Sequence, residues 1–166
     1  MKSEPITFIH VSYIATTPEK LWQALTSPEF SEKYWFGFRI ESDWKVGSKL
    51  LIRAPAHLKE IKKGGVHGEV LVYDKPRKLA YTFGMPDDPT PRNGASRVTF
   101  ELKPFGSVVK LVCKHENLVP ADLGGAQDTL RGVDNGWPAI LSGLKSLLES
   151  GRVPDMDVLL KATFPG

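Results

Sequence analysis

The sequence is poor in the features that mark several common protein classes. It holds one cysteine, Cys113, in 166 residues, which excludes an internal disulfide and is typical of a reducing compartment. No apolar run approaches the roughly 20 residues that a membrane-spanning helix needs, and residues 1–14 lack the basic start and apolar centre of a secretory signal. With 22 basic and 19 acidic residues, the net charge of +3 is too mild to predict nucleic-acid binding. We expect a cytoplasmic protein without a membrane span.

The best-known cofactor and catalytic motifs are missing as well. The chain has no P-loop, no Gly-x-Gly-x-x-Gly, no His-Glu-x-x-His and no Gly-x-Ser-x-Gly, so we expect no cofactor and no metal. Aromatic residues, in contrast, are plentiful, with 8 Phe, 4 Trp and 4 Tyr. A chain of this length can bury a substantial core without disulfides. We predict a single domain over residues 1–151, followed by a C-terminal tail at residues 152–166.

The first part of the chain predicts one strand and two short helices. Residues 6–14 are rich in β-branched and aromatic side chains, as strands are. Thr17 and Ser27 are each followed directly by a proline, which is the pattern of a helix N-cap and the first helical residue. The two short helices should therefore meet near residue 27.

From residue 36 to residue 115 the apolar residues recur at every second position, which predicts a series of strands. Turn-forming residues separate these strands at residues 45–47, 62–65, 74–77 and 103–106. Such short links join antiparallel neighbours, because a parallel pair needs a long crossover. The pattern therefore predicts a meander of six strands with one apolar face, to which the first strand adds a seventh.

The last long segment is helical by the same reasoning. Apolar residues return at helical spacing from Trp137 to Leu148, with Gly136 and Pro138 predicting a boundary or kink at the front and Gly151 a stop. The apolar face of the sheet must be buried against this helix. We therefore predict an α+β fold in which a curved antiparallel sheet of six or seven strands wraps around a long C-terminal helix.

This order of elements resembles the helix-grip fold of the START-like (SRPBCC) superfamily. The closer likeness is to the family of the C-terminal domain of the activator of Hsp90 ATPase. It rests on residues 14–25 (IATTPEKLWQAL), 68–83 (GEVLVYDKPRKLAYTF), 98–116 (VTFEL to HE) and 136–144 (GWPAILSGL). The chain departs from the family pattern at Phe83, where Trp is usual, and at His10, where the family carries an apolar residue.

A sheet that curls around three helices is expected to leave a cavity between the sheet and the C-terminal helix. Such cavities bind small apolar ligands. The predicted lining comprises six aromatic and aliphatic residues: Trp35, Phe36, Tyr81, Phe83, Trp137 and Leu141. Tyr81 and Trp137 would add polar atoms that orient a ligand. For any one of these residues, ordinary core packing is the alternative.

Three further residues are candidates for the same cavity. The resemblance implies that Phe8 and His10 face inward, which puts His10 on the same face as Cys113 and His115. Alternation alone does not decide this, because Ile9 is equally apolar. A His–Cys–His group has the side chains of a zinc site or of a Cys–His nucleophile, but packing is the favoured interpretation. We therefore predict these three as ligand-lining residues, with no metal and no catalytic residue.

The predicted function is the binding of a small apolar or aromatic ligand, and two alternatives stay open. The resemblance implies an Hsp90-linked co-chaperone module, and some members of the wider superfamily are polyketide cyclase-like enzymes. In the Hsp90 activator, however, a separate N-terminal domain supplies much of the contact with Hsp90. Nothing here precedes the first strand, so Hsp90 is not expected as a partner. A homodimer is a further partner that the sequence leaves open.

Overall fold

Seven antiparallel strands form one curved, unclosed sheet in the computed structural model of the protein, which describes residues 4–58, 64–86 and 88–164. The strands are β1 (Ile6–Ile14), β2 (Arg39–Ser42), β3 (Lys49–Arg53), β4 (Gly65–Asp74), β5 (Lys78–Phe83), β6 (Ser96–Phe105) and β7 (Val108–Leu118). Their order in the sheet is β1-β7-β6-β5-β4-β3-β2, so that β1 and β2 are the two edges. The predicted antiparallel sheet is confirmed. Half of the turn predicted at residues 62–65, residues 62 and 63, lies outside the described residues.

In the described part of the chain, four α-helices accompany the sheet. They are α1 (Pro18–Thr26), α2 (Pro28–Tyr34), α3 (Val133–Ser150) and α4 (Asp157–Thr163). The hydroxyl of Thr17 accepts a hydrogen bond from the backbone N–H of Lys20 at 3.2 Å, which caps α1 as predicted. The two short helices after the first strand and the long C-terminal helix are therefore confirmed. Within the described residues, no helix is long and apolar enough to cross a membrane.

The core lies between the inner face of the sheet and the apolar side of α3. Leu141 and Leu144 of α3 are buried, as are Phe100 of β6 and Leu111 of β7, and all four belong to one contiguous cluster. The inner face of β1 alternates with its exposed face in the same way. The packing therefore follows the period-2 and period-3.6 patterns in the sequence.

Two boundaries differ from the prediction. Phe36, expected to begin a strand, lies in the turn after α2 with φ of 51°, because the N–H of Gly37 bonds back to the carbonyl of Glu32 and delays β2. Pro138, expected near a boundary or kink, lies inside α3, which begins at Val133. Side-chain hydrogen bonds of the first turn of α3, described below, anchor this helix start although Pro138 has no N–H to donate.

Candidate functional site

An open pocket of about 650 Å³ lies between the sheet, the first half of α3 and the chain segments on either side of α3. Its volume falls within the roughly 300–1,000 Å³ that is usual for small-molecule sites. Most of its wall is apolar, formed by Trp35, Phe36, Phe38, Val66, Phe83, Met85, Leu130, Val133, Trp137, Ile140, Leu160 and Phe164. The polar side chains in the wall are Asp122, Gln127, Arg131 and Thr163. We call this space the large pocket.

The loop at residues 123–132 forms one side of the large pocket and is tied to the first turn of α3. The carboxylate of Asp134 accepts hydrogen bonds from the backbone N–H of Gly124 at 2.7 Å and of Gly125 at 2.9 Å. The side-chain amide of Asn135 donates to the carbonyls of Gly125 and Arg131, both at 2.8 Å. The first turn of α3 therefore fixes this wall through two adjacent side chains.

Helix α4 closes another side of the large pocket. The hydroxyl of Thr163 accepts a hydrogen bond from the N–H of Leu130 at 2.8 Å, and the guanidinium of Arg131 donates to the carbonyl of Thr163 at 2.8 Å. Leu160 of α4 is buried and faces the pocket. Part of the predicted tail is thus a structural element of the site, which its weak periodicity did not indicate.

Trp137 is the centre of the aromatic wall. Its ring lies 5.2 Å from the ring of Trp35, 5.7 Å from that of Phe100 and 6.0 Å from that of Phe83, measured between centroids. Two of these contacts are edge-to-face, the arrangement that aromatic quadrupoles favour. Since Trp137 is itself buried, the wall is a packed layer and not a set of loose side chains.

A chain of hydrogen bonds runs behind this wall through His115. The indole N–H of Trp137 donates to Nδ1 of His115 at 3.1 Å. Because an indole nitrogen only donates, the imidazole proton must be on Nε2, which donates to the hydroxyl of Ser96 at 2.9 Å. Ser96 in turn donates to the carbonyl of Phe83 at 2.7 Å. Both ring nitrogens of His115 are therefore engaged, and neither is free to act as a base.

This environment favours the neutral form of His115. Burial lowers the pKa of His115 to about 4, partly offset by the nearby charge of Asp122 and reinforced by that of Arg92. Protonation of Nδ1 would also set two donors against each other, since the Trp137 N–H points at the same atom. His115 is therefore a neutral structural link at neutral pH.

A second pocket of about 200 Å³ adjoins the large pocket, and we call it the polar pocket. The two share Phe83, Met85, Asp122 and Val133. The polar lining residues of the second are Asp88, Thr90, Arg92, Ser96, His115 and Asp122. The large pocket therefore has a polar space beside it.

One arginine and two aspartates dominate the charge of the polar pocket. The guanidinium of Arg92 donates to both carboxylate oxygens of Asp122, at 2.8 and 2.9 Å, and to Asp88 at 2.8 Å. Burial by itself would raise the pKa of Asp122, but hydrogen bonds from Arg92 and from the N–H of Val119 lower that pKa below its ordinary value. All three groups are thus charged at neutral pH, and the trio carries a net charge of −1 (+1 − 2).

The structure separates the predicted site residues into two sets. Trp35, Phe36, Phe83 and Trp137 line the large pocket, and Phe83 and His115 line the polar pocket. His10, Tyr81, Cys113 and Leu141 line neither of the two. Tyr81, Cys113 and Leu141 are buried in the core instead, and the hydroxyl of Tyr81 has no hydrogen-bond partner among the described residues.

The strand register brings His10, Cys113 and His115 onto one face. His10 pairs with Cys113 across β1 and β7, and Phe8 pairs with His115, with the half-buried side of β1 turned inward as the resemblance implied. Burial lowers the pKa of His10 and raises the pKa of the Cys113 thiol. Among the described residues, no group of three or more His, Cys, Asp or Glu side chains is placed to hold a metal ion.

Sequence reasoning missed the charged trio and the contribution of α4. Asp122 and Arg92 are separated by 30 residues along the chain, and neither belongs to a recognisable motif. The one local signal near Asp122 is Pro120, two residues before it, in the segment after the end of β7. A short turn is expected there. Such a signal indicates the turn but not the partner of the carboxylate.

The comparisons with known proteins agree with this architecture. The model of the Activator of Hsp90 ATPase homolog 1-like protein family matches residues 15–149. The chain belongs to this family. No curated protein matches the sequence.

Solved structures of similar proteins support the same fold. A protein from Mesorhizobium loti is 27% identical, with a TM-score of 0.64 over 86% of this chain and 96% of the other. The Aha1 dimer from Colwellia psychrerythraea is 22% identical, with a TM-score of 0.65 over 88% of this chain and 98% of the other. An Hsp90 activator from Plasmodium falciparum is 21% identical, with a TM-score of 0.56 over 93% and 95%. These likenesses establish the helix-grip fold of the START-like superfamily for this member of the family.

Proposed function

We propose that the protein binds a small molecule whose apolar or aromatic body occupies the large pocket and whose polar head reaches the polar pocket. The single observation that carries this proposal is that the two spaces are adjacent, with Phe83, Met85, Asp122 and Val133 lining both. A purely structural gap would not need a packed aromatic wall on one side and a charged trio at its end.

The aromatic wall supports an apolar or aromatic body. Trp35, Phe83 and Trp137 present ring surfaces to the large pocket, and a ring placed against them would remove apolar surface from water. Ring–ring contacts add to that gain when the geometry is offset or edge-to-face.

The charged trio favours a head that donates hydrogen bonds. Asp88, Arg92 and Asp122 together carry a net charge of −1, and all the guanidinium contacts that the structure describes go to the two carboxylates. The remaining lone pairs of these carboxylates and of Ser96 are acceptors. An ammonium or hydroxyl head would find partners there, whereas a carboxylate head would meet like charge.

Three probes with the same ring and different heads test the proposal. We expect 1-naphthylmethylamine to bind best, 1-naphthalenemethanol next and 1-naphthaleneacetate least, measured with the full chain by isothermal titration calorimetry at pH 7.5. The ammonium and acetate probes should differ by at least about tenfold in Kd, because one unit charge near a half-buried carboxylate is worth more than about 1.4 kcal/mol.

A filled pocket provides the control. Val133 lines both pockets, so Val133→Trp should abolish binding of all three probes, whereas Val46→Trp, at a turn residue that is 68% exposed, should leave binding unchanged. Binding that survives Val133→Trp in a folded protein would contradict the large pocket as the site. Equal binding of all three probes would contradict the role of the trio but not that of the aromatic wall.

A second candidate function is an interaction with Hsp90, and the family match favours it. The family takes its description from an Hsp90 ATPase activator, and one structurally similar protein is an Hsp90 activator. Stimulation of the ATPase rate of purified Hsp90 by the full chain would support this function. Val133→Trp should block naphthalene binding without changing that stimulation, so the two candidates are separable. An unchanged ATPase rate of Hsp90 at a saturating concentration of the protein would contradict this second function.

A polyketide cyclase-like activity has less support. It would need an acid or base that is free in the pocket, and the predicted lining residues include two histidines and a tyrosine, His10, His115 and Tyr81, that could serve. Both ring nitrogens of His115 are engaged, and His10 and Tyr81 line neither pocket. We therefore favour binding without catalysis, in a protein whose cytoplasmic location stays a prediction.

A further inference from the structure

Strand β1 is one of the two edges of the sheet. It runs over Ile6–Ile14 and pairs with β7 on one side only. Its sequence, ITFIHVSYI, contains no proline and no Lys, Arg, Asp or Glu. Edge strands usually carry such residues, because they prevent another strand from adding to the edge. A long edge strand without them is a surface suited to strand pairing.

Two hydrogen bonds from α3 reveal which residues of β1 direct their backbone groups outward. The ammonium of Lys145 donates to the carbonyl of Tyr13 at 2.7 Å, and the N–H of Ala15 donates to the carboxylate of Glu149 at 2.8 Å. Backbone direction alternates along an antiparallel strand. Therefore Thr7, Ile9 and Val11 also point their N–H and C=O groups away from β7.

The outward backbone groups of these residues have no partner in the part of the chain that the structure describes. No hydrogen bond within the described residues reaches the N–H or C=O of Thr7, Ile9 or Val11 on the outer edge. The side chains of the same strand positions are also exposed, 56% for Ile9, 44% for Val11 and 55% for Tyr13. Unpaired backbone groups and exposed apolar side chains thus occur together on one edge.

We propose that two copies of this chain pair through this edge, with β1 antiparallel to β1 of the second copy and Ile9 opposite its own counterpart. The pairing would join the two sheets into one. Antiparallel pairing of identical strands is self-complementary about a two-fold axis, as closed dimers require. The proposal does not depend on the ligand pocket.

The contacts of α3 disfavour registers that pair the Tyr13 carbonyl with the second copy. With Ile9 at the two-fold axis, Thr7 pairs with Val11, and Tyr13 faces Pro5. Pro5 has no N–H, and the Tyr13 carbonyl opposite it already accepts its hydrogen bond from Lys145. A register centred on Val11 would instead oppose Ile9 to Tyr13, so that the Ile9 N–H would compete with Lys145 for the same carbonyl. The Ile9-centred register therefore uses groups that have no partner among the described residues.

Side-chain pairing is compatible with this register. On the outer face Ile9 would contact its counterpart, and Val11 would contact Thr7 of the second copy. All of these are β-branched residues, which stabilise antiparallel pairs through cross-strand contacts. The exposed apolar surface of the strand would be covered without bringing like charges together.

The oligomeric state of the full chain is the first test. We expect sedimentation velocity, over roughly 1 µM to 1 mM, to show a reversible monomer–dimer equilibrium. Ile9→Lys should weaken dimerisation by at least about tenfold, since two ammonium groups would meet at the axis. Val46→Lys, a matched change at a residue that is 68% exposed, should not. A monomer at all concentrations, or a dimer that Ile9→Lys leaves intact, would overturn the proposal.

Disulfide trapping tests the register itself. Opposed residues in a hydrogen-bonded antiparallel pair have Cα atoms about 5.5 Å apart, which a disulfide can span. Ile9→Cys should therefore form a covalent dimer under mild oxidation, whereas the equally exposed Tyr13→Cys should not, because Tyr13 residues lie far apart in this register. The native Cys113 is fully buried and should not contribute. Cross-linking of Tyr13→Cys without Ile9→Cys would refute the Ile9-centred pairing.

Discussion

Acidification from pH 7 to pH 5 should destabilise the protein through His115. Burial lowers the pKa of this histidine to about 4 in the folded chain, whereas an unfolded histidine titrates near 6.5. Between these values the unfolded state binds more protons than the folded state, so stability falls as the pH falls. The stability is fully present above about pH 6.5 and is lost progressively toward pH 4.

The size of the effect follows from the two pKa values. Proton binding to His115 in the unfolded state lowers the free energy of unfolding, relative to high pH, by about 2 kcal/mol at pH 5 and by about 0.2 kcal/mol at pH 7. The expected loss between pH 7 and pH 5 is therefore about 2 kcal/mol. Carboxylates contribute little in this range, because their unfolded pKa values lie near 4. His10, whose pKa burial also lowers, adds a smaller slope of the same sign.

Urea unfolding at a series of pH values measures this loss, and two variants identify its source. His115→Gln should remove most of the pH dependence between pH 5 and pH 7, leaving the slope due to His10. Trp137→Phe keeps the histidine but removes the N–H that opposes protonation of Nδ1, so the pKa of His115 should rise and the slope should decrease. If the wild type and His115→Gln lose equal stability on acidification, the assignment to His115 is wrong.

Three further predictions concern packing and backbone geometry. Gly132→Ala should destabilise the protein far more than Gly47→Ala in urea unfolding. The two glycines have nearly the same φ, 90° and 89°, so the backbone strain of an alanine is matched. A Cβ at Gly132 would lie 2.1 Å from the backbone N of Gly124, whereas a Cβ at Gly47 would meet open space. Leu144→Ala should cost about 2–5 kcal/mol in the same assay, because Leu144 is fully buried, and a cost under about 1 kcal/mol would contradict a close-packed core there. Cys113, fully buried and with a raised pKa, should react with iodoacetamide only in denaturant, and rapid alkylation of the native protein would contradict its burial.

The sheet and the long helix could be predicted because their patterns are local. Alternation fixes which side of β6 and β7 is buried, and the helical spacing from Trp137 to Leu144 fixes the inner side of α3. The boundary of α3 could not be predicted this way. Its start at Val133 depends on the loop at residues 123–132, where Gly124 donates a hydrogen bond to Asp134 and Asn135 donates one to Gly125. Gly136 and Pro138 by themselves indicate a boundary.

The charged trio could not be predicted for a related reason. Asp122 lies just after β7, Arg92 and Asp88 lie in the loop between β5 and β6, and only the folded sheet brings the three together. No spacing along the chain encodes this contact. The same holds for α4, because Thr163 reaches Leu130 through a contact that spans 33 residues.

The aromatic residues show why a sequence predicts a cavity more readily than its position. Tyr81 and Phe83 lie two residues apart on the same face of β5, yet Tyr81 is in the solid core and Phe83 lines both pockets. Both positions need an apolar ring, so the period-2 pattern treats them alike. The difference arises along α3. Its later turns pack against the sheet at Leu144, whereas its first turns, near Val133, are held by the loop at residues 123–132 and leave a gap. The fold therefore provides the inner face, and the loop and α4 determine which part of that face borders the large pocket.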